Sequence, residues 1–492
     1  MNKYHKILPI VLLAAVGLTS ACKKDFLNKQ PISQGTAGNY YKTAADAEGG
    51  LVGAYSQAFI NDQYWVWDYV SNGDARADNC YAGGDNPDNF GIAGFTATPQ
   101  NGNSTRDWQG LYQDIYAANI VLDYVAKIPS SSFTGNRQQE ILSEAKFIRA
   151  ISYFQLVTTF GDVPLILSTI NTPAKPSRSA ATAVYAQIEN DLTTAETVLP
   201  VSFPKLVGHA TKGAVQALLA KVYAQEGKYQ QCLDYCNKVI NSGQYTLVPD
   251  YATLFDGTKN TSESIFESQH SAASGFTTYN TSLFLPAQFG TYSFKKFDLP
   301  TANIIALFKS QNDNIRLNAS VYQASVGADG LAAGDPIPAP YTTASPMVPF
   351  LYKWKTNISQ FGGGTDNNVL LRLADIILLK AEASNNLGQT AAAIPLVNQI
   401  RARVKLPAIT VSSQTDVALA ILNERRMELA FEGHRWNDLL RFGSQYTITL
   451  IKSQVDPFGK PFNFPISQAK LLLPVPYNEI QLDGNLTQNP GY

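Results

Sequence analysis

The chain has 492 residues, 38 Lys and Arg against 39 Asp and Glu, and a formal net charge of −1; 45% of it is apolar. That composition is globular. A near-neutral balance without a basic tract excludes polyanion binding driven by bulk charge, so nucleic acid is not an expected partner. The length exceeds one simple core and calls for two lobes or one extended architecture.

In chain order, Lys3 and Lys6 precede an apolar run from Ile7 to Ala21. A membrane-spanning helix needs roughly 20 apolar residues. This shorter run, ending in small polar residues, reads as a secretory signal peptide over residues 1–21. It closes on "LTSAC", which resembles a bacterial lipobox, although Leu18 lies four residues before Cys22 where three is usual. Cleavage is expected before Cys22, whose thiol is then lipidated. No later segment is apolar enough to span a membrane, and the body is expected to be soluble. Cys80, Cys232 and Cys236 make no disulfide framework. Cys232 and Cys236 lie four apart on a helical pattern with no His beside them, which favours two buried small residues over a metal or redox pair.

Helical periodicity follows. "TAADAEGGLVGAYSQAF" puts Thr43 and Asp46 in capping-box spacing, ahead of a stripe of Ala47, Leu51, Ala54, Tyr55 and Ala58. "WQGLYQDIYAANIVLDYVAKIP" repeats the pattern and closes at Pro129. "QQEILSEAKFIRAISYFQLVTTFGDVP" reads as a long helix stopped at Gly161 and Pro164. Two later stretches resemble each other. In one, Cys232 and Val239 follow Gly227 by five and twelve residues; in the other, Ala393 and Ile400 follow Gly388 at the same spacings. Helix, Gly-containing turn and helix make a tetratricopeptide-type unit, which buries its apolar face only by stacking on another. Pro395 is the misfit and predicts a kink or a late helix start.

Residues 60–107 and about 245–365 are rich in Gly, Asn, Asp, Pro and aromatics and lack periodicity. Long irregular segments in a helical body carry function more often than structure. In "YWVWDYVSNGDARADNCYAGGDNPDNF", an extended backbone would point Trp65 and Trp67 to one side. Flat aromatic faces suit the C–H faces of a sugar ring. Asp74, Asp78 and Asn79 offer acceptors, Arg76 a planar donor fork, and Tyr81 a further ring. The competing reading makes the tryptophans core and the Asp and Asn residues turn formers. The loop's oxygen ligands could hold Ca²⁺, but it lacks the D-x-[DN]-x-[DN]-G spacing, so no cofactor or metal is expected.

The enzyme alternative rests on "NERRMELAFEGHRW", where Glu424, Glu428 and Glu432 share one helical face. Carboxylates four apart on a helix stand side by side, with Cβ atoms about 5–6 Å apart. They cannot flank a glycosidic bond from two sides. Arg425, Arg426 and Arg435 lie within reach, so ion pairs are the expected use. Leu422, Leu429 and Trp436, seven apart, are expected to be buried. The four His residues show no zinc-ligand spacing, no G-x-S-x-G elbow is present, and "FGGGTD" lacks the ending of a phosphate loop.

Several stretches in order resemble the SusD/RagB family of Bacteroidetes. They are "KDFLNKQP", "SEAKFIRAISYFQLVTTFGDVPLIL", "LLRLADIILLKAEASNNLG" with "VNQIRARVKLP", "ILNERRMELAFEGHRWNDLLRFG" and "LLLPVPYNEIQLDGNLTQNPGY". The resemblance implies a mostly α fold, a tetratricopeptide-like scaffold with a loop-rich ligand part. It divides the chain into an N-terminal domain over 22–245 and a C-terminal domain over 246–492. It implies a non-enzymatic lipoprotein of the outer membrane, exposed at the surface. Such a protein captures an oligosaccharide, or in some members a peptide, and delivers it to a SusC-like TonB-dependent transporter. It also places the ligand face on N-terminal loops and on the insertion before "LLRLADIILL". That adds Tyr292, Trp354 and Arg372 as candidates, Arg372 having Asp375 as its alternative partner.

Overall fold

A computed structural model describes residues 40–61, 63–289, 296–325, 337–345, 347–356 and 358–492. The expected signal peptide, Cys22 and Tyr292 lie outside these residues. Helix α1 (Ala44–Ser56) opens with the expected capping box: the Thr43 hydroxyl accepts from Asp46 N at 3.2 Å, and the Asp46 carboxylate accepts from Thr43 N at 2.8 Å. The next stretch is not the extended loop that the sequence suggested. It winds through π-helical turns at Gln57–Asn61, Tyr64–Asp68 and Ser71–Ala75. Strand β1 (Cys80–Gly83) and helix α2 (Pro87–Ala93) follow.

The scaffold is a succession of antiparallel helices: α3 (Gly102–Val125), α4 (Arg137–Phe160), α5 (Ala181–Val198), α6 (Lys212–Gln225) and α7 (Tyr229–Asn241). Two short strands, β2 (Val163–Pro164) and β3 (Arg178–Ser179), pair between α4 and α5. Each helix packs on the next. Helix α4 stops where expected, at Gly161 with φ 76°. Its last carbonyls are taken up by the C-terminal tail: Leu473 N donates to Thr159 O at 2.9 Å, and Asn489 Nδ2 to Phe160 O at 2.9 Å. Both tetratricopeptide-type turns are present, with Gly227 at φ 71° and Gly388 at φ 77°.

An insertion separates α7 from its stacking partner. It holds β4 (Ser264–Ser268), α8 (Asn280–Phe284), β5 (Phe297–Pro300), α9 (Ala302–Ser310), α10 (Asn314–Ser320), β6 (Val321–Ser325), β7 (Met347–Leu351) and β8 (Asn368–Arg372). The strands make antiparallel pairs, β1 with β5, β4 with β8 and β6 with β7. Helix α11 (Leu373–Asn386) then packs on α7 and on α12 (Thr390–Arg403), with α13 (Gln414–Glu428) beside them. The largest core, from Ala47 to Val475, joins both repeat pairs across the expected division at 245/246. Helix α12 does not start late: it begins at Thr390 and runs through Pro395. The carbonyl that the proline ring deprives of a donor belongs to Ala391, which is exposed and open to water. Cys232 and Cys236 are fully buried free thiols, their sulfurs 4.0 Å apart. Helices α14 (Arg435–Phe442), α15 (Ser444–Lys452) and α16 (Tyr477–Leu482) complete the chain. No described helix is long and apolar enough to cross a membrane.

Candidate ligand-binding site

The π-helical path separates the two tryptophans instead of aligning them. Trp65 is 2% exposed in the main core, its Nε1 donating to Asp114 at 3.1 Å. Trp67 packs in a second core against Phe297, 5.4 Å away. The polar residues after them are also internal. Asp74 accepts from Asn79 Nδ2 at 2.6 Å, Gly433 N at 2.7 Å and Phe431 N at 3.2 Å. Burial raises its carboxyl to about 6 against those three donors. Asp78 takes a two-pronged contact from Arg435 at 2.6 and 3.0 Å and an ion pair from Arg426 at 3.1 Å. Arg426 Nε also donates to Asn79 at 2.9 Å. Arg76 lies 4.5 Å over the Trp436 ring and donates to Lys470 O at 3.0 Å. These side chains clamp residues 68–79 onto the turn after α13 and present no stacking face to solvent. The competing reading of the loop, tryptophans as core, describes what the structure contains.

Arg372 is likewise internal, 1% exposed. It does not pair with Asp375, which is held by Lys221 and Arg425, both at 2.8 Å. Its guanidinium reaches Glu428 at 2.6 Å, Glu432 at 2.7 Å and Glu263 at 2.8 Å. Arg403 meets Glu263 and Glu428, Lys353 meets Glu432, and Arg316 meets Asp313, Glu424 and Glu428. Arg401 closes the set on Glu424. Five cations thus face five carboxylates inside the protein. Burial works to raise the Glu428 carboxyl, but Arg403, Arg372 and Arg316 together hold it well below the usual range. The expected ion pairs exist with different partners: the glutamates take arginines and one lysine, Lys353, from other elements, and Arg426 and Arg435 take Asp78. Leu422, Leu429 and Trp436 are buried as expected, although α13 ends at Glu428 and Glu432 lies beyond it.

Trp354 is buried too. Its Nε1 donates to Asn368 at 2.7 Å and its ring packs 5.5 Å from Phe284. Two residues earlier the picture changes. On the β6–β7 ribbon Tyr322 faces Phe350, and Tyr352 follows on the same side just past the strand end. Tyr322, Tyr352 and Phe289 are half-buried, with ring centroids 5.0, 5.5 and 5.6 Å apart. Gln288 Nε2 donates to the Tyr322 hydroxyl, and Lys355 Nζ lies 4.7 Å over the Tyr352 ring. Burial lowers the Lys355 ammonium from its ordinary value. Beneath this ledge lie Tyr81, Tyr341, Val348 and Phe350. Tyr81 therefore supports the ledge from below. An aromatic shelf with an amide and an ammonium at its rim can stack on a flat apolar face and bond to hydroxyls or carboxylates. Reading the sequence located the "LYKWK" segment but chose Trp354 over Tyr352, and it passed over Phe289 and Tyr322, which no local pattern marks. Among the described residues no group of three or more His, Cys, Asp or Glu could hold a metal ion.

Stacked helix pairs carrying an aromatic ledge on a long insertion define a repeat-scaffold protein with an inserted, aromatic-bearing part. Residues 310–492 match the family described as "SusD family", and residues 57–224 one described as "Starch-binding associating with outer membrane". The chain belongs to the SusD/RagB family. It is 27% identical to "SusD-like protein P38" of Formosa agariphila over the full length of both chains, and 25% identical to "Starch-binding protein SusD" of Bacteroides thetaiotaomicron, again over both full lengths. A solved structure described as "Laminarin binding SusD-like protein" superposes with a TM-score of 0.76 at 27% identity, covering 92% of this chain and 100% of the other. "Surface glycan-binding protein A from Bacteroides uniformis" has a TM-score of 0.77 at 23% identity, covering 91% and 99%, and bears on the fold alone.

Proposed function

We propose that this protein captures an oligosaccharide on the Phe289–Tyr322–Tyr352 ledge and hands it to a TonB-dependent transporter. Lipid at Cys22 would hold it at the outer-membrane surface. The observation carrying the reading is that ledge: half-buried rings, Phe289 edge-on to both tyrosines and the tyrosines tilted against each other, on an insertion of a SusD-family scaffold. Rings braced in this way lose little freedom when a sugar stacks on them, which lowers the cost of binding. The Gln288 amide and Lys355 ammonium add direction. Names among the relatives supply the substrate class, since one is called laminarin binding and another starch-binding. The role is binding without turnover, because Glu424, Glu428 and Glu432 are each held by buried cations and none is placed to give or take a proton at a glycosidic bond.

Native affinity electrophoresis of the chain without its lipid tests this, through gels carrying laminarin, starch and a panel of other polysaccharides. Retardation by one of them is expected, and it should be lost in Tyr322→Ala/Tyr352→Ala while Trp65→Phe retains it. Retardation that survives loss of both tyrosines would remove the ledge from the reading.

A further inference from the structure

A second recess lies on the other side of Tyr81. Its floor is Ala75, Ala77, Ala82 and Ala93, its walls are Phe90, Tyr81, Phe462 and Phe464, and its volume is ≈ 290 Å³. The Phe462 and Phe464 rings stand 4.8 Å apart and within 8° of parallel, and Tyr81 lies 5.7 Å from Phe462. Phe90, 39% exposed, guards the mouth. Most polar side-chain groups here are already committed, and the Cys80 thiol in the lining is free. The Tyr81 hydroxyl donates to Val455 O at 3.1 Å, and the Thr301 hydroxyl to Asp78 O at 2.9 Å. Gln454 Nε2 donates to Leu450 O at 3.2 Å, which leaves its Oε1 as the acceptor a ligand could use.

That chemistry is wrong for a sugar. Each hydroxyl stripped of water without a partner costs roughly 1–3 kcal/mol, and a pyranose brings several. It suits a planar ring with one hydroxyl. An apolar cavity of about 150 Å³ holds benzene, and this recess is nearly twice that size, room for a ring with a short conjugated arm. We propose that the recess binds one aryl group of the hydroxycinnamoyl type, its flat face continuing the Phe462–Phe464 stack on the recess side. Tyr81 and Tyr341 belong to the cluster that also supports the ledge, so a glycan lying on the ledge could reach the recess with an aryl ester substituent. This glycan-borne source rests on the function proposed above; the aryl site does not.

Calorimetric titration of the purified protein with methyl ferulate tests the site. One-to-one binding is expected, weakened about tenfold in Phe464→Ala and several-fold in Phe90→Ala. Phe90 is exposed, so that variant keeps its fold, and Phe464→Ala should be retarded like the parent by whichever polysaccharide retards the parent. No binding, binding untouched by both substitutions, or octanoate binding as tightly as methyl ferulate would overturn the proposal. For the source, a feruloylated oligosaccharide is compared with its saponified form and with methyl ferulate. An ester that binds more tightly than both supports the glycan-borne source. An ester no tighter than methyl ferulate overturns that source and assigns the site to free aryl compounds.

Discussion

Replacing Arg372 with Met removes one cation from a buried set in which five positive groups meet five carboxylates. The guanidinium donates to Glu263, to the Glu428 carboxylate and carbonyl, and to both Glu432 oxygens, at 2.6 to 2.8 Å. Breaking a buried pair by removing one partner costs about 3–5 kcal/mol, because the remaining charge is left without water or a counter-ion. Arg372→Met should therefore lower the stability read by urea unfolding at pH 7 by about that much. The sign of its pH dependence follows. Glu428 and Glu432 are both held below the ordinary carboxylate range in the parent. With Arg372 gone, one carboxylate takes up a proton more readily in the fold, so the deficit should shrink between pH 7 and pH 5. Arg372→Met/Glu432→Gln restores four against four and should be more stable than the sum of the single changes by at least about 1 kcal/mol. A loss under about 1 kcal/mol in the single variant, or a strictly additive double variant, would refute the account. A folded Arg372→Met that no longer binds glycan would return Arg372 to the ligand site.

The remaining expectations follow from other buried groups. His434 sits against Lys221 Nζ at 3.0 Å, and burial followed by that ammonium pushes its pKa down to about 3. It stays neutral in the fold while the unfolded chain protonates below about 6.5, so its contribution is present above that pH and is lost as pH falls. The parent should lose about 1.4 kcal/mol per pH unit relative to His434→Gln between pH 6.5 and 4.5; a flat difference in unfolding free energy would contradict this. At Gly73 an added Cβ would stand 2.2 Å from the Gly433 carbonyl oxygen and 2.4 Å from its Cα. Gly73→Ala should destabilise by roughly 3 kcal/mol or more in the same urea assay, and a near-neutral result would mean the two chain segments are not pressed together.

Helices were legible because their determinants are local. Thr43 and Asp46 cap α1 through bonds spanning three residues, and Gly161, Gly227 and Gly388 end or turn helices through their own φ angles. The repeat pairs were readable for the same reason, since small residues at fixed spacing form a packing face on any helix. The 57–75 stretch was not, because an extended chain and a π-helix differ there by long-range packing and not by side-chain period. Complementarity between the Asp-rich "GDARADN" and the Arg-rich "NERRMELAFEGHRW" was visible in the sequence. Pairing them across some 350 residues was not.

The sequence by itself determined the stacked helix pairs, the cysteine chemistry and the family to which these stretches belong, all of which rest on periodicity or on ordered motifs. Only the tertiary structure decided which charged and aromatic residues are inside. Asp78, Arg372, Trp65 and Trp354 have the chemistry of a binding site, yet each is satisfied internally by a partner from another element of the fold. Phe289, Tyr322 and Tyr352 have ordinary neighbours in sequence, but the β6–β7 pairing sets Tyr322 beside Tyr352 and the turn at Ala287–Phe289 brings Phe289 against both. Burial is a property of the assembled fold, because a residue keeps or loses contact with water according to what distant segments pack over it.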